Sequence, residues 1–284
     1  MLKRMLPITL ALMVAAGAAQ AGTYYEAVTR GEGGRGAKMA DSTVHAWIDG
    51  DNAKIQFVES ENPIMGNGTY LITKDGGKTV YLVNPKEKTY ATWDMDAMMN
   101  FAGGAMKMMN MKFSEPKVEE LGHEAGAAIL GMPTTHYSYR TSYTMSMSFM
   151  GMKNETRTVS EQQIWATPKL AAPAFGVWLR KTPPSFGGNE DLQKLVKAEM
   201  EKVHGIPLKV VTKTTSTNEK KGTSETSTTT MEVTKLDETS IPASTFEIPS
   251  GYKETQLFPG GEGEGKGQNE NPLMRMFGGK KKDG

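Results

Sequence analysis

From Gly22 to Thr92 apolar and polar residues alternate in short runs separated by turn signals, which is the period of half-buried β-strands. The runs Tyr24–Thr29, Thr43–Ile48, Ala53–Glu59, Thr69–Lys74 and Thr79–Asn84 are the expected strands. Asp49-Gly50-Asp51 and Asp75-Gly76-Gly77 lie between consecutive runs and suit hairpin turns, because Gly and Asp accept positive φ at little cost. Links this short predict an antiparallel meander rather than βαβ units.

The period then changes. In the helix expected over 94–112, Met95, Met98, Met99, Ala102, Ala105, Met106, Met109 and Phe113 fall on one side of a helical wheel, with Asn100 and Lys107 opposite. Gly103 and Gly104 interrupt it, each costing about 1 kcal/mol against alanine in a helix interior. Strand patterns return over Ala128–Arg140, Tyr143–Phe149 and Thr156–Ala166, with a turn over Gly151–Asn154. In Tyr143–Phe149 the alternation is strict: Tyr143, Met145, Met147 and Phe149 make one face and small hydroxyl residues the other. A second helix is expected from Glu190 to His204, N-capped by Asn189 and ended by Gly205 and Pro207, and a shorter one around Ala174–Leu179. A threonine-rich hairpin over 206–236 follows, its tip at Asn218–Gly222 reaching into solvent. The tail, 258–284, is too poor in apolar residues to fold.

Composition sets the compartment and narrows the partners. The start combines Lys3 and Arg4, a short apolar run and Ala19-Gln20-Ala21, the pattern of a secretory signal peptide cleaved after Ala21, so a periplasmic location is expected. No later segment approaches the roughly 20 apolar residues of a membrane span. No cysteine follows the cleavage site to carry a lipid anchor or a disulfide. Losing Lys3 and Arg4 takes the formal charge from +1 to −1, which gives nucleic-acid binding no electrostatic basis.

Candidate chemistry is sparse. Gly31-Glu-Gly33-Gly-Arg-Gly36 matches a dinucleotide fingerprint, but the next strand begins within a few residues and leaves no room for the helix that would hold a pyrophosphate; a flexible loop is expected instead. His45, His123, His136 and His204 stand in no metal-ligand or catalytic spacing, so the chain is expected to be no enzyme and to hold no cofactor. The unusual feature is methionine: 12 of 21 fall between Met95 and Met152. Methionine fills cores, adapts to apolar ligands of variable shape, and supplies thioethers to Cu(I). All three readings stand, the metal reading resting on Met106, Met108, Met109 and Met111 in a Cu(I)-binding or metal-stress envelope protein.

Three stretches, Ile129-Leu-Gly131-Met-Pro133-Thr-Thr-His136-Tyr137, Gly205-Ile-Pro207-Leu-Lys-Val-Val211 and Phe246-Glu-Ile-Pro249-Ser-Gly251-Tyr252, resemble a family of exported bacterial proteins of unknown function related to the periplasmic lipoprotein carriers LolA and LolB and to RseB. That resemblance implies a mainly β (α+β) fold: a curved antiparallel sheet, an unclosed barrel covered by a few helices, enclosing an apolar cavity for acyl chains or hydrophobic peptides. On this reading 22–257 form one half-barrel domain. The expected function is non-catalytic binding or carriage of a lipid, an acylated protein or another apolar ligand, or a structural role with an envelope partner. Met95, Met98, Met99, Met106 and Met109 would form a lid, and Met145, Met147 and Phe149 a wall shared with Trp47, Phe57, Tyr70 and Tyr81.

Overall fold

The computed structural model describes residues 22–34, 36–94, 110–149, 152–168, 190–200 and 204–256. They form one large mainly β sheet. Its strands are β1 (Gly22–Gly33), β2 (Ser42–Asp49), β3 (Asn52–Ser60), β4 (Tyr70–Thr73), β5 (Thr79–Asn84) and β6 (Thr89–Asp94). There follow β7 (Lys112–Ile129), β8 (Met132–Phe149), β9 (Met152–Thr167), β10 (Ile206–Asn218), β11 (Thr223–Thr239) and β12 (Lys253–Thr255), with helix α1 (Glu190–Met200) between β9 and β10. The strand order is β12-β6-β5-β4-β3-β2-β1-β11-β10-β9-β8-β7. Two antiparallel meanders are therefore joined where β1 pairs with β11, and β12 beside β6 is parallel. Edges β12 and β7 are not paired with each other, so the sheet is unclosed.

Local chemistry explains the turns. Gly50, Gly76 and Gly77 all take positive φ, as the hairpin reading requires. At the β4–β5 turn the Asp75 carboxylate accepts the Thr79 amide on both oxygens and the Thr73 hydroxyl on Oδ1. The first half of the stretch expected as a flexible loop belongs to a strand instead: β1 continues to Gly33, and the Gly31 amide donates to Asp41 Oδ1 at 2.7 Å. A side chain at Gly31 would overlap the carbonyl of Ala37, so glycine is what lets the 3-10 turn Ala37–Ala40 fold back on the strand.

Paired residues in an antiparallel ladder share a face, so the register sorts the side chains. One face carries Tyr25, Ala27 and Val44 and is here called the Ala27 face. On it Ala27, Ile206, Leu208 and Val233 form a buried cluster joined by Met231 and Leu236. Ile55, Leu71, Leu82 and Ala91 extend it toward β6. Ile129 and Met132, at the tip of the β7–β8 hairpin, pack against the same cluster. The opposite, Trp47 face is apolar over β2–β6, where Tyr70, Ile72 and Val83 are covered by Ile241 and Phe246 from the segment after β11. Each fully buried aliphatic side chain in these clusters contributes about 1.5–3 kcal/mol.

Several expected boundaries move. The strands expected over Ala128–Arg140 and Tyr143–Phe149 are one strand, β8, preceded by the turn Leu130–Gly131, and Ala128 belongs to β7. Phe113, expected on the methionine helix, lies in β7, and Asp94 closes β6; residues 95–109 between them lie outside the described residues, as does Ala174–Leu179. Of the second helix, Leu195 and Val196 are buried where α1 packs against β7. The threonine-rich hairpin does not stand alone: β10 is paired with β9 as far as Asn218 opposite Thr156.

Candidate ligand-binding face

β8 sets the site. Its residues Tyr137, Tyr139, Thr141, Tyr143, Met145 and Met147 face the Ala27 side, as the pairing of Tyr137 with Ile164 and Ile164 with Val210 shows. At the inner end Tyr139, Ile164 and Ala166 are buried together against Tyr137 and Val210. Burial, with Tyr137 and the Glu120 carboxylate nearby, pushes the Tyr139 phenol up, so it stays neutral. Next along the strand Thr141 and Thr158 are buried. The outer end is apolar and half-buried: Met145 pairs with Phe113 of β7, and the Phe113 and Tyr143 rings lie 5.5 Å apart.

Beside this apolar ridge runs a lane of hydroxyls and amides on β9 and β10. Ser160 and Thr214 share a hydrogen bond of 3.0 Å, Thr158 and Ser216 one of 3.4 Å, and Asn218 Nδ2 donates to Asn154 Oδ1 at 2.6 Å. Such cross-strand pairs contribute about 0.2–1 kcal/mol each and hold the long strands in register. Toward its outer end the face is thus amphipathic across its width, apolar over β7–β8 and polar over β9–β10.

Trp93 was not among the residues the sequence singled out. It pairs with Val80, on the Ala27 face, and its Nε1 is buried without a hydrogen-bond partner among the described residues. A buried donor left unpaired costs about 1–3 kcal/mol. Its sequence signal is slight: an indole at the end of a strand, just before the methionine-rich stretch.

The expected wall is divided between faces. Met145, Met147 and Phe57 lie on the Ala27 face, and Phe149, paired with Met152, ends the β8 alternation. Trp47, Tyr70 and Tyr81 lie on the Trp47 face, because Trp47 pairs with Lys54, Lys54 with Ile72 and Ile72 with Tyr81. They cannot share a wall with the methionines. Met95, Met98, Met99, Met106, Met108 and Met109 lie outside the described residues, and Met111 is half-buried just ahead of β7.

The Trp47 face has its own chemistry. Over β8–β11 it is polar: Arg140 donates from Nε and Nη2 to Glu161 Oε1, and His136 stacks on Trp165 with ring centres 4.4 Å apart. Over β5, β6 and β12 it forms an open groove of about 490 Å³ lined by Lys74, Asp75, Tyr81, Tyr90, Glu247 and Glu254. In it Lys74 Nζ lies 2.6 Å from Glu247, and the Thr92 hydroxyl donates to Glu254 Oε1 at 2.6 Å. No described helix is long and apolar enough to cross a membrane.

The profile of a protein family described as a domain of unknown function (DUF4412) matches residues 37–252. Among solved structures the chain is similar to one titled "Structure of PNGF-II in P21 space group", with 12% identity and a TM-score of 0.35. That similarity covers 83% of this chain, which spans 31% of the other. No curated protein sequence matches the chain.

Proposed function

The chain belongs to the DUF4412 family, and we propose that it is a non-catalytic periplasmic protein that binds or carries a lipid, an acylated protein or another apolar ligand on its Ala27 face. One observation carries the reading: the ridge of Phe113, Tyr143, Met145 and Met147 at the outer end of β7–β8 is apolar, half-buried and continuous with the buried face of the sheet. Methionine thioethers with three rotatable bonds adapt to acyl chains of differing shape, and apolar burial contributes about 25 cal/mol per Å², so selectivity should be loose. A LolA-like half-barrel is the architecture in which such a face would enclose its ligand, and the packing of Ile129 and Met132 over the Ala27 cluster supports that curvature.

Native mass spectrometry of protein taken from its own periplasm, followed by titration with a fluorescent fatty acid, tests the proposal. Co-purifying lipid and saturable titration are expected; protein that is empty in the first measurement and silent in the second ends it.

A further inference from the structure

The Trp47 face repeats one arrangement. Lys235 Nζ stands 5.3 Å from the Tyr24 ring centre, Lys54 Nζ 5.4 Å from that of Trp47 and 4.4 Å from that of Tyr70, and Lys209 Nζ 5.8 Å from that of Trp165. Each ring therefore has a cation of the same chain against its electron-rich face. Tyr81 and Tyr90 on this face, like Phe246 beside them, do not share it. Their rings stand 6.2 Å apart at 67°, and no cation of the described residues lies over either.

The groove above these two rings is negative. Asp75, Glu247 and Glu254 line it against the single ammonium of Lys74, and that ammonium is paired with Glu247. Two carboxylates remain unneutralised. Asp75 is turned inward, accepting from Thr79 and Thr73, while Glu254 sits beside Tyr90 in the β12–β6 ladder with one hydrogen bond from Thr92. Glu254 thus keeps acceptor capacity next to two uncapped aromatic rings.

We propose that this groove binds a cationic group, an ammonium or guanidinium, seated between Tyr81, Tyr90 and the Glu254 carboxylate. The site is distinct from the apolar face and lies on the other side of the sheet. The same chemistry is offered by a free polyamine and by a lysine- or arginine-bearing peptide, and the groove is open enough to admit either.

Titration calorimetry of the full chain with spermidine and, separately, with a trilysine peptide tests the assignment. Saturable binding of at least one probe is expected, weakening with salt, and weakened about fivefold or more by Tyr90→Leu and by Glu254→Gln. Binding of both probes marks the recognised group as the amine itself, and binding of trilysine alone marks a peptide. Glu254→Gln changes an exposed side chain and keeps its shape, so it reports even where Tyr90→Leu disturbs the fold. The proposal is overturned if neither probe binds below about 10 mM, or if Glu254→Gln weakens binding no more than Glu238→Gln, a carboxylate outside the groove.

Discussion

Lys54 Nζ stands 4.4 Å from the centre of the Tyr70 ring, over a face of the sheet that is otherwise closed by Ile241 and Phe246. Burial lowers the Lys54 pKa, so the charged form is held there at a desolvation cost that attraction to the ring offsets only in part. The pair is a structural plug. Lys54→Met, which keeps the stem and drops the charge, should change stability by less than about 1 kcal/mol. Tyr70→Ala, which empties a buried ring position, should cost about 3–5 kcal/mol. Urea denaturation of the two variants checks both values, and equal losses would contradict the assignment.

The alternation in β8 makes a sharper test of the apolar face. Met145 and Met147 point one way and Ser146 the other, where it pairs with Lys112 and Glu155. Met145→Asp or Met147→Asp should weaken a fluorescent fatty acid by about tenfold or more, since each places a charge where apolar contact is needed. Ser146→Lys, between them in sequence, should leave the affinity unchanged. If Ser146→Lys weakens binding as much as its neighbours do, the ligand lies elsewhere.

Strands β1 to β5 of the first meander were legible because two signals coincided there: alternation, and Asp-Gly turns whose positive φ is observed at Gly50 and Gly76. β7 was not, because Pro116 and Gly122 sit in its register shifts and its exposed positions carry Lys117, Glu120 and Glu124, so no alternation runs along it. Those shifts and charges are what an edge strand uses to resist pairing with another chain. β12 is three residues long and carries no period at all. The division of the expected wall has a different cause. Alternation shows that Trp47 and Met145 each lie on one side of a strand, but only the ladder from β2 through β1, β11, β10 and β9 to β8 fixes whether those sides agree. Bulges at Glu26/Ala27 and Pro207/Lys209 alter the count along that path.

Asp75 ties stability to acid pH. Burial raises its pKa, but the Thr79 amide and hydroxyl, the Thr73 hydroxyl and the Lys78 amide together outweigh that and hold it below its ordinary 3.8. A carboxyl depressed in the folded state contributes stability that is present above 3.8 and is lost as pH falls through its folded value. Asp75→Asn should therefore cost about 1 kcal/mol at pH 7. The gap to the unsubstituted protein should narrow as pH falls below 3.8. Thermal melts of both proteins across that range give the answer, and a gap that widens toward acid would refute the assignment.

Leu130 is held in an unfavourable conformation at the β7–β8 turn. Its φ is 51°, followed by Gly131 at 73°, which is the pair of left-handed residues of a type I′ hairpin. A γ-branched side chain there meets its own backbone at a cost of about 1–2 kcal/mol, and with 46% of Leu130 exposed little apolar burial is gained in return. Ile129 and Met132 on either side supply that burial, since they pack on the Ala27 cluster and fix the register of the turn. Leu130→Asn should thus stabilise the protein by about 0.5–1 kcal/mol, because asparagine tolerates the left-handed region and the packing of its neighbours is untouched. Ile129→Ala should destabilise it by about 2 kcal/mol or more. The two substitutions, one residue apart, are predicted to move the denaturation midpoint in opposite directions, and a loss from Leu130→Asn would show that the exposed leucine makes a contact that offsets its strain.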